Sequence, residues 1–275
     1  SEELFQQTSE SYRRIRNTFR VLLCNLHDAG PEVRCSSFSV SDFTLIDRWI
    51  LERLYVVTKE CIEAYAAYDF RRVFTVVNSF LATDLSALYI DITKDRMYCD
   101  AADSPRRRAT QASIREITET LCKLLAPILA FTADEAWEHL GHSDSVHLQL
   151  FPQPNPAFAG TEATTAVEEL LKVRAVIQQA IEKARQEKLI GANLEATVNL
   201  TLPETGFKSP VLNDLPTLQE FFILSDLRVT RGTELAAEVS VCEHAKCERC
   251  WRHLPDVGTH EQHPTLCGRC EGAVG

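Results

Sequence analysis

Lys246-Cys247-Glu248-Arg249-Cys250-Trp251 and, further along, Cys267-Gly268-Arg269-Cys270 decide how the end of this chain folds. Two residues separate the cysteines of each pair and sixteen separate the pairs, which gives C-x2-C-x16-C-x2-C. Each short turn lets two thiolates point at one ion, and two such turns complete the tetrahedron that zinc prefers. The pattern therefore predicts one structural Zn²⁺, without a catalytic water, held by Cys247, Cys250, Cys267 and Cys270. Two disulfides or four free thiols are the alternatives.

Other potential ligands crowd the same segment. The regular spacing of the two pairs favours the four cysteines over all of them. We also expect Gly268 to supply a permissive backbone inside the second turn. The competing side chains are Cys242, His244, His253, His260 and His263.

The composition favours a globular protein of a reducing compartment. The chain has 275 residues, enough for two or three domains, and a net charge of -10, which argues against a general basic coat but permits local basic faces. Five further cysteines are scattered through mostly apolar helical contexts, as small hydrophobes of a cytosolic protein would be. We recognise no signal peptide and no apolar run long enough to span a membrane, so we expect a cytoplasmic protein without membrane contact.

The first half of the chain predicts an antiparallel bundle of four long helices and one short helix. Apolar residues recur there at three- and four-residue spacing, and short connections separate the runs. Ser41 or Asp42 is expected to cap the second helix, and a capping box at 132–135 is expected to start the short one. The predicted helices are 9–27, 42–68, 70–92, one from Ser104-Pro105 to about Pro127, and 132–140.

The second half changes in character at Ser145. An alternating run at 146–150 predicts a short strand, and a proline-rich linker follows. A long helix at 161–188, terminated near Gly191, precedes strands at 196–202, 227–230 and 235–242, with a helix at 215–224. The predicted fold class is therefore mainly α. It comprises an antiparallel helix bundle (1–144), a small α+β domain (145–241) and a four-cysteine zinc finger (242–275).

Two arginine clusters carry local positive charge. Arg13, Arg16 and Arg20 form a stripe on the first helix, which is either a solvated face or an edge that contacts phosphates. Arginines 106 to 108 lie in the first turn of the fourth helix, where the helix dipole disfavours positive charge. They are either solvated or placed for an anionic partner.

Several strings resemble a known family. YRRIRNTFR (12–20), DITKDRMY (91–98), LAPILAFTADE (125–135) and RQEKLIGANLEA (185–196) resemble the anticodon-binding bundle and junction of class I aminoacyl-tRNA synthetases for branched aliphatic amino acids. The cysteine turns, with Trp251 directly after Cys250, resemble the carboxy-terminal zinc finger of bacterial isoleucyl-tRNA synthetases. The resemblance covers essentially the whole chain, and the finger is what separates the isoleucyl enzymes from the valyl and leucyl ones.

The resemblance implies recognition of the anticodon stem-loop of isoleucine tRNA, within an enzyme that attaches isoleucine to that tRNA using ATP. The sequence contains no string like the HIGH and KMSKS motifs, which carry ATP binding and amino-acid activation in this family. We therefore expect a monomeric carboxy-terminal fragment with no catalytic residue and no editing domain. ATP would bind only in the catalytic domain that this chain lacks.

Affinity for tRNA is expected from phosphate contacts, and specificity from unpaired anticodon bases stacked on flat side chains. Trp251 is the candidate stacking platform, although it could instead pack over the zinc thiolates. The candidate phosphate contacts are Arg13, Arg16, Arg20, Lys94, Arg96, Lys246, Arg249, Arg252 and Arg269.

Two other functions remain open from the sequence. A similar finger occurs at the end of formamidopyrimidine-DNA glycosylases, which would make this a DNA-binding protein, but those enzymes carry a catalytic amino-terminal proline and this chain starts with serine. A helical scaffold with a metal clip for protein partners is the second.

Overall fold

Helices dominate the computed structural model, which describes residues 2–274. Within that range eight helices and one three-stranded sheet are found. The predicted fold class is confirmed: a mainly α bundle precedes a small α+β region and a cluster of four cysteines. The helices are α1 (Glu2–Cys24), α2 (Leu45–Ala66), α3 (Phe70–Cys99), α4 (Pro105–Leu125), α5 (Ala130–His139), α6 (Glu162–Gln186), α7 (Leu215–Phe222) and α8 (Gly268–Val274), and the strands are β1 (Ala196–Pro203), β2 (Asp226–Gly232) and β3 (Ala236–Val241).

The chain forms two compact units. The first runs up to Thr93 and resumes with Ala102–Thr161, and the second combines Lys94–Ala101 with the chain from Glu162 onward. Helix α3 therefore contributes residues to both units. The predicted division into domains at 1–144, 145–241 and 242–275 concerns independent folding and stays a prediction.

A buried carboxylate organises the first unit. Asp47 is fully buried in α2 and accepts hydrogen bonds from Tyr89 Oη of α3 at 2.7 Å and from Thr110 Oγ1 of α4 at 3.1 Å. It also accepts from the backbone of Thr44 at 3.2 Å, in the capping box that starts α2. Because a buried charge must be hydrogen-bonded to be tolerated, this carboxylate fixes three helices to one another. The cap predicted at Ser41 or Asp42 is wrong, since α2 starts after Thr44.

The arginines at the start of α4 are neither simply solvated nor reserved for an anionic partner. Arg107 is buried and forms a two-point ion pair with Asp28 at 2.6 and 3.1 Å. This ion pair attaches the segment after α1 to the start of α4. Arg108 donates to the Asp28 carbonyl and to Gln111 Oε1, each at 2.8 Å. The hydrogen bond from Arg107, together with weaker contributions, lowers the pKa of Asp28 to about 2 against the effect of its burial.

Helix α3 is longer than predicted. The charged residues at 93–96 do not end it, and it continues to Cys99 with π-type hydrogen bonding over Phe80–Ile90. By its length, and by the mean hydropathy of 1.5 in its most apolar 18-residue window, α3 could cross a membrane, which corrects the expectation that no such segment exists. Helices in the core of soluble proteins have comparable length and hydropathy, so this finding alone does not indicate a membrane span. Val77, Leu81 and Leu85 are buried in the bundle, and Asp84 pairs with Arg53 of α2 at 2.9 Å.

Two short elements differ from their predictions. Helix α5 starts at Ala130, and Asp134 of the expected capping box instead accepts from Ser145 Oγ at 2.7 Å and from the Val146 amide at 2.9 Å. The strand predicted at 146–150 is a 3-10 turn at Val146–Leu148. Apolar and polar residues alternate in this run, but a strand forms only where a neighbouring strand pairs with its backbone hydrogen-bonding groups.

A three-stranded sheet forms the centre of the second unit. The strand order is β2-β1-β3, with β1 parallel to β2 and antiparallel to β3. Helix α7 makes the crossover between the parallel strands. Alternate residues of β1 are buried, and the apolar stripe of α6 packs against β1 and β3. The predicted terminator Gly191 is wrong, because Lys188 is the left-handed residue after α6 (φ 59°).

Candidate metal centre and nucleic-acid interface

Each cysteine pair lies in a tight turn closed by its own backbone. The Trp251 amide donates to the Cys247 carbonyl, and the Glu271 amide donates to the Cys267 carbonyl, both at 2.9 Å. Trp251 has left-handed backbone (φ 62°), an uncommon conformation for a residue with a side chain, whereas Gly268 does not have a positive φ. The left-handed residue therefore belongs to the first turn, and the expectation for Gly268 in the second turn is wrong. Gly268 instead donates its amide to Asp256 Oδ2 at 2.7 Å.

The two turns bring the four predicted sulfurs together. The Sγ atoms of Cys247, Cys250, Cys267 and Cys270 all lie within 4.8 Å of one another and are buried. Cys250 Sγ and Cys267 Sγ are 3.8 Å apart, and every cysteine of the chain is a free thiol. A tetrahedron with Zn–S bonds of about 2.3 Å has edges of about 3.8 Å. The donor set therefore fits a tetrahedral thiophilic ion, and disulfide pairing is absent.

The backbone around the sulfurs favours a thiolate at Cys247. Burial raises the pKa of this thiol, but hydrogen bonds from the amides of Cys250, Cys267 and Arg249 outweigh it and lower the pKa to about 6. The Cys267 amide lies 3.4 Å from Cys247 Sγ. Burial raises the pKa of Cys250 and Cys267. Thiolates are the metal-binding form, so the turns prepare one ligand in advance.

Two of the neighbouring histidines have partners other than the cysteine cluster. His253 Nδ1 lies 2.9 Å from the His244 carbonyl. His260 Nδ1 lies 2.7 Å from Glu271 Oε2, which places this ring against α8. Three or more His, Cys, Asp or Glu side chains that lie close enough together to hold an ion are found at one place within residues 2–274, and that place is the four-cysteine cluster.

Three arginines of the finger point into the second unit. Arg269 forms a two-point ion pair with Asp95 at 2.6 and 2.9 Å and lies 3.4 Å from Asp100. Arg252 is 14% exposed and lies 3.6 Å from Asp95. Arg249 donates to the carbonyls of residues 98 and 99. These side chains hold the cysteine turns against the end of α3, which makes them poor candidates for phosphate contacts.

Arg96, a predicted tRNA contact, is held inside the second unit by an ion pair. Its side chain is 0% exposed and donates to both carboxylate oxygens of Glu220 on α7, at 2.9 and 2.5 Å. Its role is to join α3 to α7 within the second unit. This burial makes Arg96 a poor candidate for a phosphate contact.

The arginines of α1 remain at the surface of the first unit. Arg13 and Arg20 are exposed, and Arg13 lines a cavity of about 410 Å³ together with Arg14, which the stripe left out. Arg16 is exposed but forms a two-point ion pair with Glu135 of α5 at 2.6 and 2.9 Å. That hydrogen bonding raises the pKa of Arg16.

In the second unit Lys94, Lys246 and Trp251 are exposed. Trp251 is 63% exposed, so it does not pack over the sulfurs, and Lys246 Nζ lies 5.7 Å from the centre of its ring. A rigid aromatic face beside a cation is the arrangement on which unpaired bases stack.

Sequence reasoning missed the residues that surround the cysteine cluster. Cys99 is buried against the four predicted ligands, and Asp95 and Asp100 receive Arg269. No local pattern marks them, because their partners lie more than 140 residues away along the chain.

Comparison with known proteins gives two family matches. The family described as the anticodon-binding domain of tRNA ligase matches residues 47–200. The family described as the zinc finger found in FPG and IleRS matches residues 246–271.

Curated relatives align with the whole length of the chain. Isoleucine–tRNA ligase of Symbiobacterium thermophilum is 38% identical over 100% of this chain and 31% of its own length. Isoleucine–tRNA ligase 1 of Oceanobacillus iheyensis is 36% identical over 100% and 30%, and isoleucine–tRNA ligase of Thermotoga maritima is 35% identical over 98% and 30%. The chain thus spans about a third of the length of these relatives.

Proposed function

Because the chain belongs to the family of anticodon-binding domains of tRNA ligases, we propose that it binds the anticodon stem-loop of isoleucine tRNA within an isoleucine–tRNA ligase. The observation that carries this proposal is that one chain holds both the bundle match and the finger match. The relatives named isoleucine–tRNA ligase support isoleucine tRNA as the nucleic acid.

The exposed basic residues supply the affinity in this proposal. Arg13 and Arg20 on α1 and Lys94 and Lys246 in the second unit contact phosphates, while Trp251 stacks on an unpaired base. Arg16 can reach a phosphate only by leaving Glu135, so it contributes less. These local contacts act in spite of the overall charge of -10.

One zinc ion bound by Cys247, Cys250, Cys267 and Cys270 is the second part of the proposal. The fit of the four sulfurs to a tetrahedron and the zinc-finger match support it. When bound, the ion cross-links the two turns and supplies no catalytic chemistry, since four thiolates fill its coordination. Zinc typically contributes on the order of 10–16 kcal/mol to such fingers, so chelation should disorder the chain after about residue 242 and spare the helical signal of the bundle. Simultaneous melting of the helices would contradict this.

The chemistry of the ligase, in which ATP drives the attachment of isoleucine, is assigned in this proposal to parts of the enzyme outside the 275 residues. The absence of strings like HIGH and KMSKS from the sequence supports this assignment. An ATP–pyrophosphate exchange assay on the 275-residue chain should give no turnover, and measurable turnover would overturn it.

We further place the protein in the cytoplasm as a monomer. The ten unpaired cysteines support a reducing compartment. Sedimentation of the zinc-loaded chain should give a single species of 31.0 kDa.

A binding titration tests the proposed function. The zinc-loaded chain is titrated with isoleucine tRNA, with a tRNA of another specificity and with duplex DNA, at several salt concentrations. We expect preference for isoleucine tRNA and affinity that falls with salt, because phosphate contacts release counterions. Equal or tighter binding of duplex DNA would favour the glycosylase-type function, and binding of none of the three would favour a protein-interaction scaffold.

A further inference from the structure

Arg249 connects the cysteine cluster to the end of α3, and all its partners lie in the second unit. One nitrogen, Nη1, donates to the Cys99 carbonyl and lies 3.6 Å from Cys270 Sγ. The other, Nη2, donates to the Tyr98 carbonyl at 3.3 Å. A single guanidinium thus touches a sulfur of the candidate metal site and the last two carbonyls of a helix.

Both groups need a donor of this kind. The last carbonyls of a helix have no partner within the helix, and the helix dipole favours positive charge at that end. A thiolate bound to a metal is also stabilised and oriented by hydrogen bonds from neighbouring groups. The planar, always charged guanidinium presents several N–H groups in a fixed fork, so it can serve both groups at once.

Two further contacts tie the same helix end to the cysteine turns. The Cys99 side chain is buried within the cluster formed by the four cysteines. Arg269, which directly precedes Cys270, forms its two-point ion pair with Asp95 and also reaches Asp100. The cysteine turns therefore hold the last turn of α3 through packing, charge and backbone hydrogen bonds.

We propose that Arg249 is a positioning residue that couples metal binding at the four cysteines to the ordering of the carboxy-terminal turn of α3. The inference rests on the metal part of the proposed function and is independent of tRNA binding. Coupling of this kind is reciprocal: if the ordered helix end strengthens metal binding, the metal stabilises the helix end by the same factor.

Hydrogen exchange on the unmodified chain, with and without Zn²⁺, tests the coupling first. Metal uptake is measured beforehand by stoichiometry. Loading with zinc should slow exchange of the amides of 97–100 by roughly 10–100-fold, in line with the usual effect of groups that orient metal ligands. Amides of β1, in the same unit, serve as a control for the fold and should change little.

Two results would contradict the inference in different ways. If the chain takes up no metal, the proposed metal site is refuted, and the coupling that depends on it is refuted as well. If zinc binds and protects 246–271 while exchange at 97–100 stays the same, the metal site stands and the coupling alone is wrong.

A variant pair tests the residue itself. Arg249→Ala should lower zinc affinity by roughly 10–100-fold in competition with a chelator, and it should speed exchange at 97–100 even in zinc-saturated protein. Glu248→Gln, a change at an exposed residue of the same turn, should leave zinc affinity and exchange at 97–100 unchanged. Arg249→Lys should fall between, because one ammonium group cannot span all three acceptors. Zinc affinity of Arg249→Ala within twofold of the unmodified chain would overturn the role of Arg249.

Discussion

Replacement of Arg96 by alanine separates a structural role from a tRNA-binding role. The guanidinium is 0% exposed and donates to both oxygens of Glu220, whose side chain is 14% exposed. Arg96→Ala takes two charge-assisted hydrogen bonds from Glu220, and removal of one partner of a buried ion pair typically costs about 3–5 kcal/mol. A free energy of unfolding of about 5–15 kcal/mol is usual for a folded domain, so the loss should be large.

Hydrogen exchange of the β1 amides measures this loss within the unit that holds both residues. A cost of 3–5 kcal/mol corresponds to an increase of roughly 10²- to 10³-fold or more in the opening equilibrium. Lys172→Ala, at an exposed position of α6 in the same unit, is the control and should change stability by about 0.5 kcal/mol or less. A second variant, Glu220→Gln, should also destabilise the unit, because it removes the negative charge that accepts both hydrogen bonds from the Arg96 guanidinium.

The same variants are then titrated with isoleucine tRNA under conditions where they are folded. We expect the affinity of Arg96→Ala to equal that of the unmodified chain, because a fully buried side chain cannot contact a phosphate. Normal stability combined with weakened tRNA binding would refute the interpretation of Arg96 as an internal ion-pair partner.

Three further predictions concern stability and binding. Because Arg107 lowers the folded pKa of Asp28 to about 2, its contribution to stability is present above about pH 5 and is lost progressively between about pH 5 and pH 1. Asp28→Asn should therefore cost about 1–2 kcal/mol near neutral pH, after discounting for solvent screening, and close to nothing near about pH 1 in urea unfolding; a difference independent of pH would contradict this. Trp251→Ala should weaken tRNA binding by about 1–3 kcal/mol in a titration of zinc-loaded protein, and unchanged affinity would exclude base stacking. Arg20→Gln should reduce the slope of log affinity against log salt by about 0.7–0.9, whereas Arg269→Gln should leave it unchanged because Arg269 is paired with Asp95.

The sequence predicted helices and strands well where apolar residues repeat with a single helical or strand period over a long segment. The stripe of Ile15, Phe19 and Leu22 predicted α1, and the alternation after Ala196 predicted β1. The cysteine spacing predicted which four sulfurs converge. These features depend on neighbours within a few residues, so the sequence alone contains them.

The roles of charged residues could not be predicted in the same way. An arginine on a polar helix face looks the same in the sequence whether it is solvated or buried in an ion pair. Arg269 and Asp95 are separated by 174 residues, and Arg96 and Glu220 by 124. Only the tertiary fold brings them together, and it converts predicted phosphate contacts into internal ones.

Short elements were also beyond local patterns. The run at 146–150 alternates as a strand would, yet Leu148 and Leu150 are exposed because no other strand lies beside them. The left-handed Trp251 and Lys188 escaped prediction because glycine is the usual residue at such positions.

The most direct test of anticodon recognition compares the dissociation constant of the zinc-loaded chain for isoleucine tRNA with that for the same tRNA carrying a different anticodon. Recognition of the anticodon predicts that the changed tRNA binds at least tenfold more weakly, with the same dependence on salt. Equal dissociation constants for the two tRNAs would contradict it.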